Sequence, residues 1–228
     1  MAQGKGQVGV LQPSSFEPTS LADRAYHAIR EMIVSLELRP GAVVDEPRLM
    51  ERLGIGRTPT REALRRLAQE GLVEVYPRRG MFVTRVEIRD LASLTEVRSI
   101  LESHAARLAA ERATADDQAA LDSLLDELEA EADLDTAELM ALDERIHRQV
   151  YSSAHNPFLE STLEEHYVLA LRIWYLAIDR TRELKQAVFG HRELLEAIRD
   201  GDADAAEETM RRHVLDFGEA MRRVLTGA

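Results

Sequence analysis

The sequence contains no cysteine. Disulfide bonds, zinc–thiolate sites and cysteine nucleophiles are therefore excluded, and the composition suits a reducing compartment. Apolar runs are also short, because none approaches the roughly 18 residues that a membrane-spanning helix needs. The first residues lack the basic stretch followed by an apolar stretch that marks a signal peptide. We therefore expect a cytoplasmic protein that does not enter a membrane.

Positive charge is scarce in the chain as a whole, with 29 basic residues against 41 acidic ones and a formal net charge of −12. The deficit is uneven, because residues 15–86 carry 12 arginines and 10 acidic residues, whereas residues 87–228 carry 16 basic and 31 acidic residues. Nucleic-acid phosphate attracts an arginine-rich surface and repels an acidic one. This asymmetry indicates two domains with different partners.

Changes in composition indicate where the chain divides. Gly, Gln, Ser and Pro are frequent in residues 1–18, which we interpret as a disordered tail. Residues 19–86 mix helical and strand-like patterns, whereas residues 87–228 show only helical periodicity and predict an all-helical bundle of six or seven helices. The predicted helices outside the central helix-turn-helix pattern span 21–38, 88–112, 116–133, 135–153, 157–179, 182–200 and 202–225.

Residues 46–83 have the pattern of a winged helix-turn-helix. A short helix with an apolar stripe is followed by a turn that contains two glycines, which favour turn conformations. Thr58 is predicted to cap a second helix, with Pro59 at its first position. Two alternating strands, 73–76 and 81–84, then form a small wing.

The second helix of this pattern carries a basic stripe. Arg57, Arg61 and Arg65 are four residues apart and therefore share one face. A recognition helix presents such a face to the major groove, where arginine contacts guanine and phosphate. The alternative is a solvated helix face beside an ordinary hairpin. The candidate DNA-contacting residues are Arg48, Arg57, Thr58, Thr60, Arg61, Arg65, Arg66, Arg78, Arg79 and Gly80.

The segment RTPTREALRRLAQEGLVEVYPRRGMFV resembles the DNA-binding signature of GntR-type bacterial transcription regulators. The helical remainder resembles the branch of that family with an FCD (FadR C-terminal) domain, so the resemblance covers residues 20–225 or so. It implies a mainly α protein that binds double-stranded operator DNA, acts as a repressor and is not an enzyme. We expect a homodimer, because one DNA-binding head buries too little surface for strong operator binding.

The helical domain contains a set of candidate metal ligands. Asp143 and His147 are four residues apart and share a helix face, while His191 and His213 lie on the last two predicted helices. One carboxylate and three imidazoles suit Zn, Ni, Mn, Fe or Co. Spacing alone does not bring the four residues together, and a helical histidine can also serve packing or lie at the surface. The resemblance implies that all four bind one divalent transition metal inside the bundle.

Three further residues are candidates for binding a small organic acid effector. Arg98 either forms a surface ion pair with Glu102 or, as the resemblance implies, points inward to pair with a carboxylate. Asn156 resembles the family's Gly-Asn-Pro corner, with His155 in place of the glycine, or it caps the following helix. Arg172 is a candidate pocket-lining residue.

We therefore expect a transcription regulator whose operator affinity is controlled by a carboxylate bound at a metal site. One alternative is a metal sensor in which the ion itself is the signal. Another is a metal-dependent enzyme, because three His and one Asp leave coordination positions open. The enzyme is the weaker alternative, since the sequence offers no separate general base with a defined partner.

Overall fold

The computed structural model describes residues 20–85, 87–130, 134–177 and 182–226. Within them the structure contains α1 (Leu21–Val34), α2 (Glu46–Leu53), α3 (Arg57–Gln69), β1 (Val73–Tyr76), β2 (Gly80–Val83), α4 (Leu91–Arg112), α5 (Ala115–Glu129), α6 (Thr136–Ser153), α7 (Pro157–Ala177), α8 (Arg182–Arg199) and α9 (Ala203–Thr226). The predicted mainly α fold class is confirmed. The predicted disordered tail lies outside the described residues. None of the described helices is long and apolar enough to cross a membrane.

Helices α1 to α3 and the β1–β2 hairpin form the predicted winged helix-turn-helix. The Ser20 side chain caps α1 by accepting a hydrogen bond from the backbone N–H of Asp23. Helices α1 and α3 pack through fully buried residues that include Ile29 and Leu64. The two strands are antiparallel, with Val73 opposite Val83. The recognition helix and wing therefore rest on one small apolar core.

The predicted end of α1 at residue 38 is wrong, because the helix ends at Val34. Leu36 has a φ of 59°, outside the right-handed helical region. The N–H of Leu38 bonds to the carbonyl of Met32 at 2.8 Å, which turns the chain toward α2. Helical periodicity does not reveal this reversal, since leucine has high helix propensity.

The predicted start of α3 also needs correction. Gly56 is the N-cap residue and Arg57 is the first helical residue, so Thr58 occupies the second position and caps nothing with its side chain. Pro59 consequently lies at the third position rather than the first. It is tolerated there because the first four N–H groups of a helix have no intrahelical partner.

Helices α4 to α9 form the helical part, for which six or seven helices were predicted, within the described residues 87–130, 134–177 and 182–226. Helix α4 packs along α9, and Gly218 of α9 lies in their contact. A Cβ atom at Gly218 would come within 2.6 Å of Thr95, so the two helices approach too closely for any larger residue without a shift. This contact fixes α9 against α4 near the bundle interior.

Local capping signals define the starts of α5 and α6. Thr114 and Asp117 form a reciprocal capping box at α5, and Asp135 and Glu138 form another at α6. Each box satisfies N–H groups that would otherwise lack partners. The second box sets the start of the helix that carries Asp143 and His147 inward.

The winged part and the helical part meet at a junction formed by α1, the end of the wing and α7. Arg30 of α1 forms an ion pair with Glu164 of α7 at 3.3 Å. Arg172 of α7 donates hydrogen bonds to the Thr84 hydroxyl, at 2.8 Å, and to the Thr84 carbonyl. A cleft of about 620 Å³ lies between α1 and α3 on one side and α6 and α7 on the other. The junction therefore combines a few polar contacts with open space.

Candidate metal centre and nucleic-acid interface

The four candidate metal ligands come together inside the bundle. Asp143 and His147 project from α6, His191 from α8 and His213 from α9. Each offers one ligand atom, and these atoms all lie within 4.8 Å of one another. Asp143, His147 and His191 are about 1% exposed, and His213 is partly buried. We call these four residues the ligand cluster.

The ring nitrogens in the ligand cluster are held in specific orientations. His147 Nε2 lies 3.3 Å from His191 Nε2. On the far side of its ring, His191 Nδ1 lies 3.1 Å from the carbonyl of Val188, which can only accept, so Nδ1 carries the proton. His191 Nε2 therefore directs a lone pair into the cluster. This is the arrangement by which a neighbouring acceptor prepares a histidine for metal binding.

Asp143 supplies the anionic group of the ligand cluster. Its Oδ2 accepts a 2.6 Å hydrogen bond from the Tyr167 hydroxyl. Its Oδ1 is buried and has no hydrogen-bond partner among the described residues. An unpartnered buried carboxylate oxygen is energetically costly. A cation beside it would remove that cost, so the donor set fits a divalent metal.

Burial keeps two of the imidazoles neutral. It lowers the pKa of His191 to about 4, although nearby Asp143 opposes part of the shift. Burial also lowers the pKa of His213 well below its usual range, and the neighbouring His191 and His147 add to this effect. A neutral imidazole has the free lone pair that metal binding requires. The structure therefore holds these ligands in the form that can bind a metal.

A small cavity of about 10 Å³ adjoins the ligand cluster. That volume corresponds to about one water-sized sphere, which leaves no room for an organic acid in this conformation. The lining residues are Arg98, Asp143, His147, Tyr167, Ala170, Leu171, Trp174, His213 and Phe217. The cavity therefore places one cationic side chain beside the candidate metal ligands.

Arg98 is buried, whereas one interpretation of the sequence placed it in an ion pair at the surface. It is 5% exposed, and its Nε lies 2.5 Å from Oε1 of fully buried Glu102. Burial disfavours both charges, but Arg98 and His147 outweigh this effect and hold the pKa of Glu102 at about 2. The surface interpretation is wrong because both side chains lie on the inner face of α4.

Glu102 and two tyrosines are site residues that the sequence did not single out for this role. Glu102 Oε2 lies 3.0 Å from His147 Nδ1. The Tyr151 hydroxyl lies 3.2 Å from the same nitrogen, and Tyr167 bonds to Asp143. Charged residues four apart on a helix, such as Arg98 and Glu102, usually indicate an exposed pair. Nothing local distinguishes this buried pair from an exposed one.

The other two candidate effector residues lie elsewhere. Asn156 Oδ1 accepts a hydrogen bond from the N–H of Leu159 at 3.3 Å, which makes Asn156 a helix cap. Arg172 is fully buried, but it contacts Thr84 at the junction and is not among the residues that line the cavity. Both residues thus make structural contacts that account for their positions. Of the three candidates, only Arg98 borders the ligand cluster.

The basic face of α3 is exposed, and its arginines differ in their ion-pair contacts. Arg57 and Arg65 are exposed and have no ion-pair partner within the described part of the chain. Arg61 forms a 2.7 Å ion pair with Glu46 of α2. Arg66 turns instead toward α1, where its guanidinium lies 3.7 Å from the centre of the Tyr26 ring. Arg57 and Arg65 are therefore available to bind phosphate or bases from the exposed face of α3.

Thr60 is among the predicted DNA contacts, but it is not accessible to DNA in the structure. Its side chain is fully buried, and its Oγ1 donates to the Gly56 carbonyl at 3.0 Å. Thr60 lies four residues before buried Leu64 and shares its face, whereas Thr58 is exposed. Arg48 is also exposed on α2. Thr58 and the flanking arginines thus form the accessible polar surface.

The wing presents two cations at its tip, residues 77–80. Arg78 has a φ of 65° and Gly80 a φ of 97°, so the tip contains two left-handed residues. Both arginines of the tip are exposed, and the Arg79 guanidinium lies 6.0 Å from the centre of the Tyr76 ring. A cationic tip beside a cationic helix face suits the phosphates that flank a groove.

Comparison with known proteins agrees with this arrangement. The family model described as "Bacterial regulatory proteins, gntR family" matches residues 21–83, and the FCD domain model matches residues 93–216. An HTH-type transcriptional regulator in an unstable DNA locus of Streptomyces ambofaciens is 33% identical over 202 residues, which are 87% of this chain and 84% of that protein. The galactonate operon transcriptional repressor of Escherichia coli K12 is 30% identical, over 82% of this chain and 90% of that protein.

Solved structures show the same fold. The E. coli McbR/YncC structure has a TM-score of 0.78 and 25% identity, and the match covers 89% of this chain and 97% of that chain. A putative GntR transcriptional regulator from Rhodococcus sp. RHA1 has a TM-score of 0.70, with 24% identity over 92% of this chain and all of that chain.

A winged helix-turn-helix with an exposed basic helix face, joined to a helical bundle, defines a DNA-binding transcription regulator rather than an enzyme. The chain belongs to the GntR family of bacterial regulatory proteins, in the branch that carries an FCD domain.

Proposed function

We propose that this regulator represses transcription as a cytoplasmic homodimer that binds operator DNA through its two winged heads. The bundle, residues 87–228, would serve dimerisation and signal binding, while residues 19–86 would bind DNA. The main support is that Arg57 and Arg65 are exposed on α3 and have no ion-pair partner among the residues that the structure describes. Two symmetric heads match two half-sites of an operator. The exposed contacts would come from Arg48, Arg57, Thr58, Arg61, Arg65, Arg78, Arg79 and Gly80.

We further propose that the ligand cluster binds one divalent transition metal such as Zn, Ni, Mn or Fe. The unpartnered Asp143 oxygen and the inward lone pair of His191 are the observations that support this proposal. Such a metal would supply positive charge and an open position for a carboxylate. Arg98, beside the same cavity, would pair with that carboxylate.

Two forms of control follow from this site. In the first, a small organic acid is the signal and binds metal and Arg98 together after the cavity opens. In the second, the metal itself is the signal. The second form gains support from the cavity of about 10 Å³, which accommodates an ion but not an organic acid. In either form the ligand acts through unequal affinity for the DNA-binding and non-binding states.

Metal analysis and thermal unfolding test the metal site together. Protein prepared without chelator should contain one divalent ion per chain, and removing it should lower the melting temperature. A ligand at 100 times its Kd stabilises a protein by about 2.7 kcal/mol. His191→Ala should abolish this response, because it removes one ligand and leaves an incomplete set. His104→Ala is the matched control, since that side chain is exposed on α4.

Titration of the operator complex, with protein from the same preparation, distinguishes the two forms of control. Zinc alone and a panel of small organic acids would be titrated separately against the operator complex. A response to zinc alone supports the metal sensor, whereas a response that requires both supports carboxylate control. Absence of stoichiometric metal, with no uptake on titration, would refute the metal site altogether.

A further inference from the structure

Glu46, in the first turn of α2, contacts Arg61 across the helix-turn-helix. Its Oε2 accepts a 2.7 Å hydrogen bond from Arg61 Nε. The side chain of Arg61 is 48% exposed and that of Glu46 is 20% exposed. We infer that Glu46 is a positioning residue that holds Arg61 for contact with guanine and so increases the preference for operator DNA. The inference rests on the proposed DNA-binding function and names a further residue in it.

The guanidinium of Arg61 has two edges that can donate a pair of parallel hydrogen bonds. One edge consists of the two terminal nitrogens, and the other consists of Nε with one terminal nitrogen. Glu46 occupies Nε, whereas the terminal nitrogens have no hydrogen-bond or ion-pair partner among the described residues. Glu46 therefore blocks one edge and leaves the terminal edge for a ligand.

The terminal edge matches the base that arginine reads most often. Guanine presents two acceptors, O6 and N7, to the major groove, and arginine binds both at once. An arginine that has to be ordered on binding loses rotamer freedom, whereas one that is already held loses less. The contact with Glu46 therefore lowers the cost of reading guanine without using the two nitrogens that read it.

The same contact makes phosphate a poorer ligand for Arg61. Phosphate is bound mainly through net charge, and its contacts are the same in every sequence. The Arg61–Glu46 pair has no net charge. Arg57 and Arg65, on the same face of α3, have no ion-pair partner within the part of the chain that the structure describes. The basic face thus contains two full charges suited to phosphate and one neutralised arginine suited to a base.

The start of α2 holds Glu46 in a defined position. The Asp45 side chain caps the helix by accepting a 3.1 Å hydrogen bond from the N–H of Arg48. Pro47 follows Glu46 in the first turn, and its ring fixes one backbone angle. Leu49 is buried and anchors this turn to the core of the winged part. The carboxylate therefore projects from a rigid element, as a positioning group requires.

Binding titrations on two duplexes test the inference with the full chain. One duplex is the sequence that the protein selects from a random pool, and the other is an unrelated sequence of equal length. Glu46→Ala should reduce the preference for the selected duplex by about 2- to 12-fold, which corresponds to the cost of ordering one long side chain. Affinity for the unrelated duplex should rise, and its salt slope should become steeper by up to about 0.9, because Arg61 is free to bind a phosphate.

Glu51→Ala is the matched control, because Glu51 is exposed on the same helix and has no ion-pair partner among the described residues. It removes the same charge and should change both affinities equally, so that the preference is retained. Glu46→Gln keeps an oxygen that can accept from Arg61 Nε. It should retain most of the preference that Glu46→Ala loses, which a role of the charge alone does not explain. These side chains are partly or fully exposed, so the substitutions should cost little stability.

A double-mutant cycle with Arg61→Ala decides whether Glu46 acts through Arg61. In the Arg61→Ala background, Glu46→Ala should have no further effect on the preference. The inference is overturned if Glu46→Ala alone leaves the preference unchanged, if it has the same effect in the Arg61→Ala background, or if Glu46→Gln loses as much as Glu46→Ala. Failure of the proposed function differs from these outcomes, because the unsubstituted chain would then select no sequence from the pool.

Discussion

Arg61 is held at the recognition surface by one partner. In the free protein its Nε forms an ion pair with Glu46, and its terminal nitrogens are left to read a base. The pair is exposed, so its loss costs little stability. We predict that Arg61→Ala reduces the preference for operator over unrelated DNA by about 1–3 kcal/mol. Gel-shift titrations on both DNAs measure this, with Arg211→Ala as a control on the surface of α9. Unchanged operator affinity would show that α3 does not read bases through Arg61.

Arg79 at the wing tip should behave differently. Its exposed position suits phosphate, which is present in every sequence. Arg79→Ala should therefore weaken binding to operator and unrelated DNA to the same extent. The slope of log affinity against log salt should become shallower by about 0.9, the value for one lost phosphate contact. A selective loss of operator binding would instead assign Arg79 to base recognition.

The candidate metal site shows which parts of a site can be predicted from the positions of single residues in the sequence. Asp143 and His147 could be paired in advance, because residues four apart share a helix face. Their meeting with His191 and His213 depends on how three helices pack, and the resemblance supplied that expectation. Glu102 was missed because its role depends on a histidine that is 45 residues away in the chain and 3.0 Å away in space. Helical periodicity contains no such information.

At the scale of helices, substitution of two glycines by alanine should have opposite effects on stability. A Cβ at Gly218 would lie 2.6 Å from Thr95, whereas a Cβ at Gly190 of α8 would meet no atom within 4 Å. Gly218→Ala should therefore destabilise the protein by about 1–3 kcal/mol through overpacking. Gly190→Ala should stabilise it by up to about 1 kcal/mol, because alanine favours helices.

Urea unfolding of metal-free protein measures both glycine variants. Gly218→Ala should also weaken zinc binding, since it displaces the helix that carries His213. Equal stability of the two variants would mean that α4 and α9 can separate without cost. Both experiments use the full chain, so the winged part stays in place.

The accuracy of the predicted helix ends depends on how local their signals are. The start of α5 was predicted to within one residue, at 116 instead of Ala115, and its capping box joins residues that are close in sequence, Thr114 and Asp117.

The start of α3 was misplaced because glycine at the N-cap offers no side chain for capping, whereas Thr58 followed by Pro59 has the pattern of a helix start. Thr60 was assigned to the DNA-facing side because it is polar and close to the N-terminal end of the helix. Its spacing of four residues from Leu64 and seven from Leu67 places it instead on the buried face.

For the whole molecule, the division of charge was visible in the sequence, but the junction was not. Arg172 was expected in an effector pocket, and it instead contacts Thr84 at the end of the wing. Burial lowers the pKa of Arg172 to about 10, and its Nε has no hydrogen-bond partner in the described part of the chain. A buried cation held by a hydroxyl and a carbonyl cannot be inferred from composition.

Helix α7 is placed to connect the two parts of the protein. Tyr167 bonds to Asp143 of the ligand cluster, and Arg172, further along the same helix, bonds to Thr84. Glu164 on this helix pairs with Arg30 of α1. A displacement of α7 by metal or effector would therefore be transmitted to the wing and to α1. The cleft of about 620 Å³ at the junction leaves space for such a movement.

We predict that Arg172→Met uncouples DNA binding from the metal. Coupling between two sites is expressed as the ratio of operator Kd values with and without zinc, and typical coupling energies of 1–3 kcal/mol correspond to ratios of about 5 to 150. The ratio should approach 1 in Arg172→Met, because the contact from α7 to Thr84 is lost. Zinc affinity should be unchanged, since Arg172 does not line the cavity.

The substitution should be tolerated, because an apolar side chain replaces a buried cation that pairs with no carboxylate of the described residues. Arg145→Met is the matched control, since Arg145 pairs with Glu127 inside the helical part. By linkage, operator DNA must change the zinc affinity of unsubstituted protein by the same ratio, and this change should also disappear in Arg172→Met. An undiminished ratio in Arg172→Met would mean that the signal passes through α1 and the Arg30–Glu164 pair instead.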